Sequence, residues 1–372
     1  MFNSYKFRLY PTNEQIDLFD KTFGCCRFVY NKMLEDKINY YKETKQPLRN
    51  HPAQYKEQYQ FLKDVDAFAL VNAQNNLEKA YKNFFNRGDK GFPKFKSKKL
   101  SKLSYSTSNI NNFTAIRIEG KRIRLPKAGM VKFKQDRQFD GIIKSATITK
   151  NPNGRYYISV LVEEEEPTKY TTYQNNILGI DLGIKHFAIM SNGETIDNPK
   201  WFRNAQSKLT KLQRRLSRKK LGSNNRNKAR IKVAKCYEKI TNQRNDFLHK
   251  LSSRIIRDNQ TVVIEDLRIG SMLTPFKAIN KSIHEVSWSK FDTMLKYKAE
   301  RYGRDLIIAD KHYPSSQLCH VCNYRNRDVK NLNLREWECP ECGSFHDRDF
   351  NASMNLVNYG LNILDGRLGY VA

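Results

Sequence analysis

No run in the sequence approaches the roughly 18 apolar residues that a membrane-spanning helix needs. Its opening, Met1-Phe2-Asn3-Ser4-Tyr5-Lys6-Phe7-Arg8, lacks the apolar segment that directs secretion. The expectation is a cytoplasmic protein, with neither a membrane nor a small-molecule substrate as its partner. Internal repeats and low-complexity segments are also missing. Acid is in short supply: 38 Asp+Glu face 67 Lys+Arg, a formal net charge of +29. Self-repulsion at that charge destabilises a compact chain, whereas a polyanion relieves it and gains from counterion release. Nucleic acid is therefore the expected partner, against the plainer alternative of a generally basic surface. Cysteine is limited to seven residues, four of them in paired C-x-x-C, which suits a reducing compartment and bound metal better than disulfides. Aromatics are not short. With 20 Tyr and 21 Phe, the 372-residue chain can pack two or three domains and still stack on bases, and disorder is excluded.

Residues 4–10 (SYKFRLY) alternate as a strand with one buried face, and Thr12 is placed to cap a following helix. The pattern then stays helical to about residue 87, with Leu70, Ala73, Leu77, Tyr81 and Phe84 on one stripe. Gly88, Gly91 and Pro93 break it in the Lys-rich stretch 87–99. That stretch reads either as a solvated loop or as a phosphate-contacting one, with Lys94 and Lys96 on the backbone and Phe92 and Phe95 free to stack. Residues 105–163 alternate between Gly, Asn and Pro turns as a β region that the first strand would join, with the helices as an insertion. The acidic run Glu163–Glu166 reads as a solvated boundary. Beyond it come a strand, a tight turn at Gly183 and a second strand (177–196), then two long helices around GSNNRN. Between residues 201 and 235 thirteen Lys+Arg stand against no acid. A solvated helix face normally mixes signs, so Arg214, Arg215, Arg218, Lys219, Arg226 and Arg230 are candidates for nucleic-acid backbone contact. TVVIEDL (261–267) reads as a strand buried on both sides, 287–302 as a helix striped by Trp288, Phe291, Leu295 and Tyr302, 305–310 as a strand, and 351–364 as a last amphipathic helix.

Cys319-x2-Cys322-x16-Cys339-x2-Cys342 fits a zinc ribbon in which four thiolates close a tetrahedral site. A closed site leaves no position for water, so this zinc is expected to be structural. Cys25, Cys26 and Cys236 read as core residues, with His320 and His346 as alternative ligands. Chemistry is expected at carboxylates. Asp181 interrupts the apolar strand ILGIDLG and Glu265 ends TVVIE, where a charge is costly unless paired or ligating metal. Asp347 and Asp349 precede the last helix; Asp349 is the choice, because Asp347 is placed to cap that helix or pair with Arg348. Asp266 should point away from Glu265. Brought to one end of a sheet, Asp181, Glu265 and Asp349 would bind two Mg²⁺, which activate water and stabilise a leaving oxygen. The order of elements around them suggests a ribonuclease-H-like fold.

The segments YKFRLYPT, FVYN (28–31), GFPKFKSKK, GIDLGIKHFA, IEDL, YPSSQLCHVC and CPECGSFHDRDFNASMNL, in this order, resemble the TnpB family, transposon-encoded relatives of type V CRISPR effectors. The resemblance implies a multidomain α+β chain. A wedge β-barrel with a helical insertion would be joined to a ribonuclease-H-like (RuvC) α/β domain carrying a zinc ribbon. In those terms 1–15 is the first wedge strand, 16–100 the helical recognition region and 101–170 the remaining wedge. RuvC would occupy 175–313 and 346–372, with the ribbon at 314–345 binding target nucleic acid. It further implies the metal-binding catalytic set Asp181, Glu265 and Asp349, a guide RNA from the transposon end, a target double-stranded DNA, and a short DNA motif beside the target. Ser353 stands where Ala is usual, and Pro314-Ser315 where Thr is common before Ser-Gln; neither removes a metal ligand.

Three other readings compete. A nuclease-dead, RNA-guided DNA-binding repressor would be expected to lose a carboxylate, and all three are present. A transposase that joins DNA strands would act on transposon ends without guide RNA; fold alone does not exclude it. A non-catalytic zinc-ribbon RNA-binding protein leaves Asp181 and Glu265 without a function.

Overall fold

The computed structural model describes residues 1–86, 91–99, 101–109, 115–166, 176–267, 277–331 and 333–366. Gly88, expected to break the helical pattern, lies outside them. Two compact units divide the chain, Met1–Glu165 and Glu166–Ala372.

In the first unit β1 (Phe2–Tyr10) buries Tyr5, Phe7 and Leu9, with Lys6 exposed and Arg8 half-buried on the other face, as its alternation requires. It lies in the middle of a sheet ordered β2-β6-β7-β1-β5-β4-β3. The other strands are β2 (Leu103–Ser108), β3 (Arg117–Glu119), β4 (Arg122–Leu125), β5 (Gly129–Lys134), β6 (Ile142–Lys150) and β7 (Tyr156–Glu163). The ladder has two ends, β2 and β3, so the barrel is a half-barrel. The Asn109 side chain ties those ends together, exchanging both amide hydrogen bonds with the Ile116 backbone (2.8 and 3.0 Å) and donating to the Ile143 carbonyl (3.0 Å). Between β1 and β2 sit α1 (Asn13–Thr44), α2 (Tyr55–Gln58) and α3 (Ala67–Asn86). Thr12 and Gln15 form a capping box at the start of α1. The helical pattern is not continuous to residue 87. Helix α1 ends at Lys45 with φ +60°, and short 3₁₀ turns at Pro52–Gln54 and Gln60–Asp64 flank α2. The acidic run is also less solvated than expected. Glu163 closes β7 and pairs with Lys144, while the Glu164 carboxylate accepts from Asn3 and Tyr5 and its backbone exchanges hydrogen bonds with Met1.

The second unit holds a five-stranded sheet ordered β10-β9-β8-β11-β12: β8 (Ile177–Asp181), β9 (His186–Met190), β10 (Thr195–Asp197), β11 (Thr261–Glu265) and β12 (Asp305–Ala309). β9 runs antiparallel to β8, whereas β11 is parallel to both β8 and β12. Strand β11 is buried on both faces because helices cover each side. Val262 and Ile264 pack with α5 (Asn224–Asp258) and α7 (Trp288–Tyr302), and Val263 packs with Leu356, Tyr359 and Ile363 of α8 (Arg348–Leu364). Helices α4 (Trp201–Ser217) and α5 are the two expected around GSNNRN and pack together as a hairpin, and α6 (Lys277–Val286) precedes α7. Buried Lys298 fastens α7 to α5 by donating to the His249 carbonyl and the Ser252 and Ser253 hydroxyls (2.7–2.8 Å), using all three ammonium protons. Tyr302, expected on the α7 stripe, is 49% exposed: it is the last residue before Gly303 turns the chain with φ +61°. Two glycines let α8 approach the sheet. A Cβ on Gly179 would meet the Ser353 carbonyl at 2.0 Å, and one on Gly360 would meet Val263 at 2.6 Å.

Candidate metal centres and nucleic-acid surface

Parallel pairing of Ile180 with Ile264 brings Asp181 and Glu265 to the same end of neighbouring strands. Helix α8 starts beside them, which adds the charges of Asp347, Arg348 and Asp349. Burial, then the negative charges of Glu265 and Asp349, push the Asp181 carboxyl well above its ordinary range; Arg348 opposes the shift. Glu265 is raised by burial, with the Ser315 hydroxyl, which donates to its Oε1, and Arg348 opposing. Taken as whole residues, Asp181 and Glu265 are half-buried. Asp347 caps α8, accepting from the Asp349 and Phe350 amides (3.1 and 2.8 Å), while Asp349 pairs with Arg335 at 3.1 Å. Asp266 is the first residue past β11. These oxygen donors suit a hard cation such as Mg²⁺, and their crowded, incompletely neutralised charge is what such an ion would relieve.

The Sγ atoms of Cys319, Cys322, Cys339 and Cys342 all lie within 4.8 Å of one another, the sole such group of metal-ligating side chains among the described residues. Cys319–Cys342 and Cys322–Cys339 are each 3.6 Å apart. A disulfide needs about 2.0 Å, whereas four thiolates at about 2.3 Å from one zinc stand about 3.8 Å apart. The residues therefore fit zinc. Two matching knuckles present them: the Asn323 amide donates to the Cys319 carbonyl, the Gly343 amide to the Cys339 carbonyl, and both turns use a positive φ. β13 (Glu336–Glu338) and β14 (Phe345–Asp347) form a hairpin whose turn carries Cys339 and Cys342 and whose second strand leads into α8. His346 is buried with Nε2 at 3.1 Å from Cys319 Sγ, so it reaches a thiolate rather than replacing one. Cys25 and Cys26 are buried in the first unit's core, as expected, and Cys236 is half-buried.

The candidate basic residues divide into two kinds. Lys94, Arg214, Arg215, Arg218, Lys219 and Arg230 have exposed positions, as do Phe92 and Phe95. Lys96 is held: its backbone exchanges two hydrogen bonds with the Asn31 amide, and its ammonium lies 3.8 Å from the centre of the Tyr30 ring. Arg226 also has structural work, donating to the Leu216 and Lys219 carbonyls (2.9 Å) and so closing the α4 end of the hairpin.

The family described as a probable transposase matches residues 158–274, and the Cas12f1-like TNB domain matches 288–356. A family described as a helix-turn-helix domain matches 1–46, although these residues form one strand and one long helix here. A protein of Streptomyces pristinaespiralis, named as a candidate RNA-guided DNA endonuclease, is 38% identical over 369 residues, spanning 96% of this chain and 89% of the relative. The chain belongs to the TnpB family. A second TnpB relative, InsQ of Escherichia coli, carries the same description and is 28% identical over 97% of this chain and 93% of its own. The solved Cas12f1–sgRNA–target DNA complex aligns with a TM-score of 0.60 at 13% identity, over 96% of this chain and 99% of that one, a likeness of fold alone.

Around the carboxylates of this TnpB chain stand residues that sequence reasoning did not pick. Ser315 bonds Glu265, Arg348 faces Asp181 and Glu265, and Arg335 holds Asp349. Asn351 and Asn355 both donate to the Leu318 carbonyl, Asn355 also to that of Ser315, and Asn358 to that of His320, stitching α8 to the first knuckle. One signal was available: asparagines four residues apart on the apolar face of an amphipathic helix need buried partners.

Proposed function

We propose that this protein is an RNA-guided DNA endonuclease of a transposable element. A guide RNA from the transposon end would direct it to a target double-stranded DNA beside a short DNA motif. The observation that supports the reading is that the charges of Glu265 and Asp349 act on Asp181, in a chain 38% identical over nearly its whole length to a relative named as a candidate RNA-guided DNA endonuclease. Residues 1–15 and 101–170 would form the wedge and 16–100 the recognition region. RuvC would comprise 175–313 and 346–372, with a zinc ribbon at 314–345. Base pairing would read the sequence, while the protein reads the motif and heteroduplex shape.

Asp181, Glu265 and Asp349 would hold two Mg²⁺, which when bound supply an activated water and neutralise charge at the cleaved phosphodiester. The chain's own contribution is orientation. Ser315 fixes the Glu265 carboxylate, Arg348 tempers the repulsion, and Asp347 fixes the start of α8 and with it Asp349. The products would carry 5′-phosphate and 3′-hydroxyl ends. Four thiolates leave the zinc no open position, so it would serve the ribbon's fold and its placement of single-stranded DNA.

The test is to purify the protein with co-expressed RNA, sequence that RNA, and offer matched and mismatched plasmids with Mg²⁺. A defined RNA and cleavage of the matched plasmid alone is the expected result. Asp181→Ala should abolish cleavage, by at least about 10²-fold, and leave guided binding largely intact; lost binding would make Asp181 structural. Guided binding without cutting by the unmodified protein would indicate the repressor. The description of the matched family as a probable transposase keeps a second reading open: joining of transposon ends without RNA would establish it.

A further inference from the structure

We propose that Arg335 is a positioning residue that guards Asp349, occupying its carboxylate until a divalent cation displaces it. The inference rests on the reading that Asp181, Glu265 and Asp349 share a cation. One guanidinium nitrogen, Nη1, lies 3.1 Å from one Asp349 oxygen and 3.3 Å from the other, so it spans the edge by which that carboxylate would ligate metal. This is not an incidental surface pair, because Asp349 is one of the charges acting on Asp181.

The guard's position is set by the ribbon. The Arg335 carbonyl accepts from the Arg348 amide at 2.7 Å, and Arg335 immediately precedes β13, which pairs Glu336 with Asp347. Trp337 packs on His346 with ring centres 4.6 Å apart, and Cys339 follows four residues after Arg335. The pair is also displaceable, since the Arg335 side chain is 51% exposed and that of Asp349 27%. Without a cation, Arg335 supplies the counter-charge at Asp349 itself, while Asp349 still acts on Asp181. A cation shared by the carboxylates would relieve that remaining repulsion and free the guanidinium, which is then available at the site's rim.

The experiment titrates Mn²⁺ into the full zinc-loaded chain without nucleic acid and reads free Mn²⁺ by electron paramagnetic resonance. Arg335→Gln should bind Mn²⁺ about two- to fivefold more tightly than the unmodified chain, the competition a part-exposed ion pair can exert. Arg335→Lys, which keeps the charge, should stay near the unmodified value. Equal or weaker binding by Arg335→Gln with its zinc retained overturns the guard. In the unmodified chain labelled with ¹⁵N-arginine, Mg²⁺ should shift the Arg335 side-chain resonance, which tests the guard without a variant that could perturb the ribbon. A resonance unmoved at saturating Mg²⁺ overturns it too. Mn²⁺ binding that Asp181→Asn leaves unchanged would instead sink the shared-cation reading beneath it.

Discussion

Asp181 shows how one side chain can be costly to the fold and still be retained. Its raised pKa means that, between the ordinary carboxylate value of 3.8 and the folded value, the folded state binds more protons than the unfolded one. Stability contributed by this group is therefore fully present below 3.8, falls as pH rises through that window, and stays lost at neutral pH. In metal-free protein, Asp181→Asn should raise unfolding stability at neutral pH by about 1–3 kcal/mol, the usual cost of an unpaired buried polar group, with the difference vanishing at acid pH. Denaturant titrations in chelator at several pH values measure it; a variant no more stable at neutral pH would show the charge to be already compensated. Asp181 and Glu265 were legible because a carboxylate in an apolar strand stands out. Ser315 was legible only as a departure from the family pattern. Its bond to Glu265 spans 50 residues, and no local pattern encodes a contact of that range.

At the scale of elements, α8 decides the geometry of the site. It lies on the sheet through Gly179 and Gly360, and its first turn carries Asp349. Gly179→Ala would press a methyl group into the Ser353 carbonyl and force the helix away. We expect a loss of about 1–3 kcal/mol in stability, as for other overpacked cores, with weaker Mn²⁺ binding from the displaced Asp349; unchanged denaturation would show that α8 can shift at no cost. Ser353 in place of Ala is accommodated because its buried hydroxyl donates to the Phe350 carbonyl within the helix. The ribbon makes a separate prediction. Replacing Cys319 and Cys322 with Ser should release about one zinc per chain and destabilise the segment, and full zinc retention by mass spectrometry would remove the assignment.

For the whole molecule the governing quantity is its net charge of +29. Binding to nucleic acid should weaken steeply with salt. Replacing Arg214, Arg215, Arg218 and Lys219 together with Gln should lower the slope of log affinity against log salt by about 3, with little effect on which sequence is bound. An unchanged slope would move the contact elsewhere. Lys96 and Arg226 are held by intramolecular partners, so they are poorer candidates than their position in a basic stretch suggested. Charge counting finds cationic segments but not which cations the fold has already engaged.

The sequence by itself determined the division into a β-rich part with a helical insertion and a second α/β part, the four-cysteine cluster, and the costly carboxylates. Each is written locally, in alternation, in C-x-x-C spacing, or in a charge set within an apolar strand. Only the tertiary structure decided that β1 lies at the middle of its sheet, that Asp347 caps while Asp349 pairs, and that Arg335, Arg348 and Ser315 surround the carboxylates. The reason is physical: periodicity and burial cost act along the chain, whereas the pairing of charges and hydrogen-bonding groups depends on which distant segments packing brings within a few ångströms.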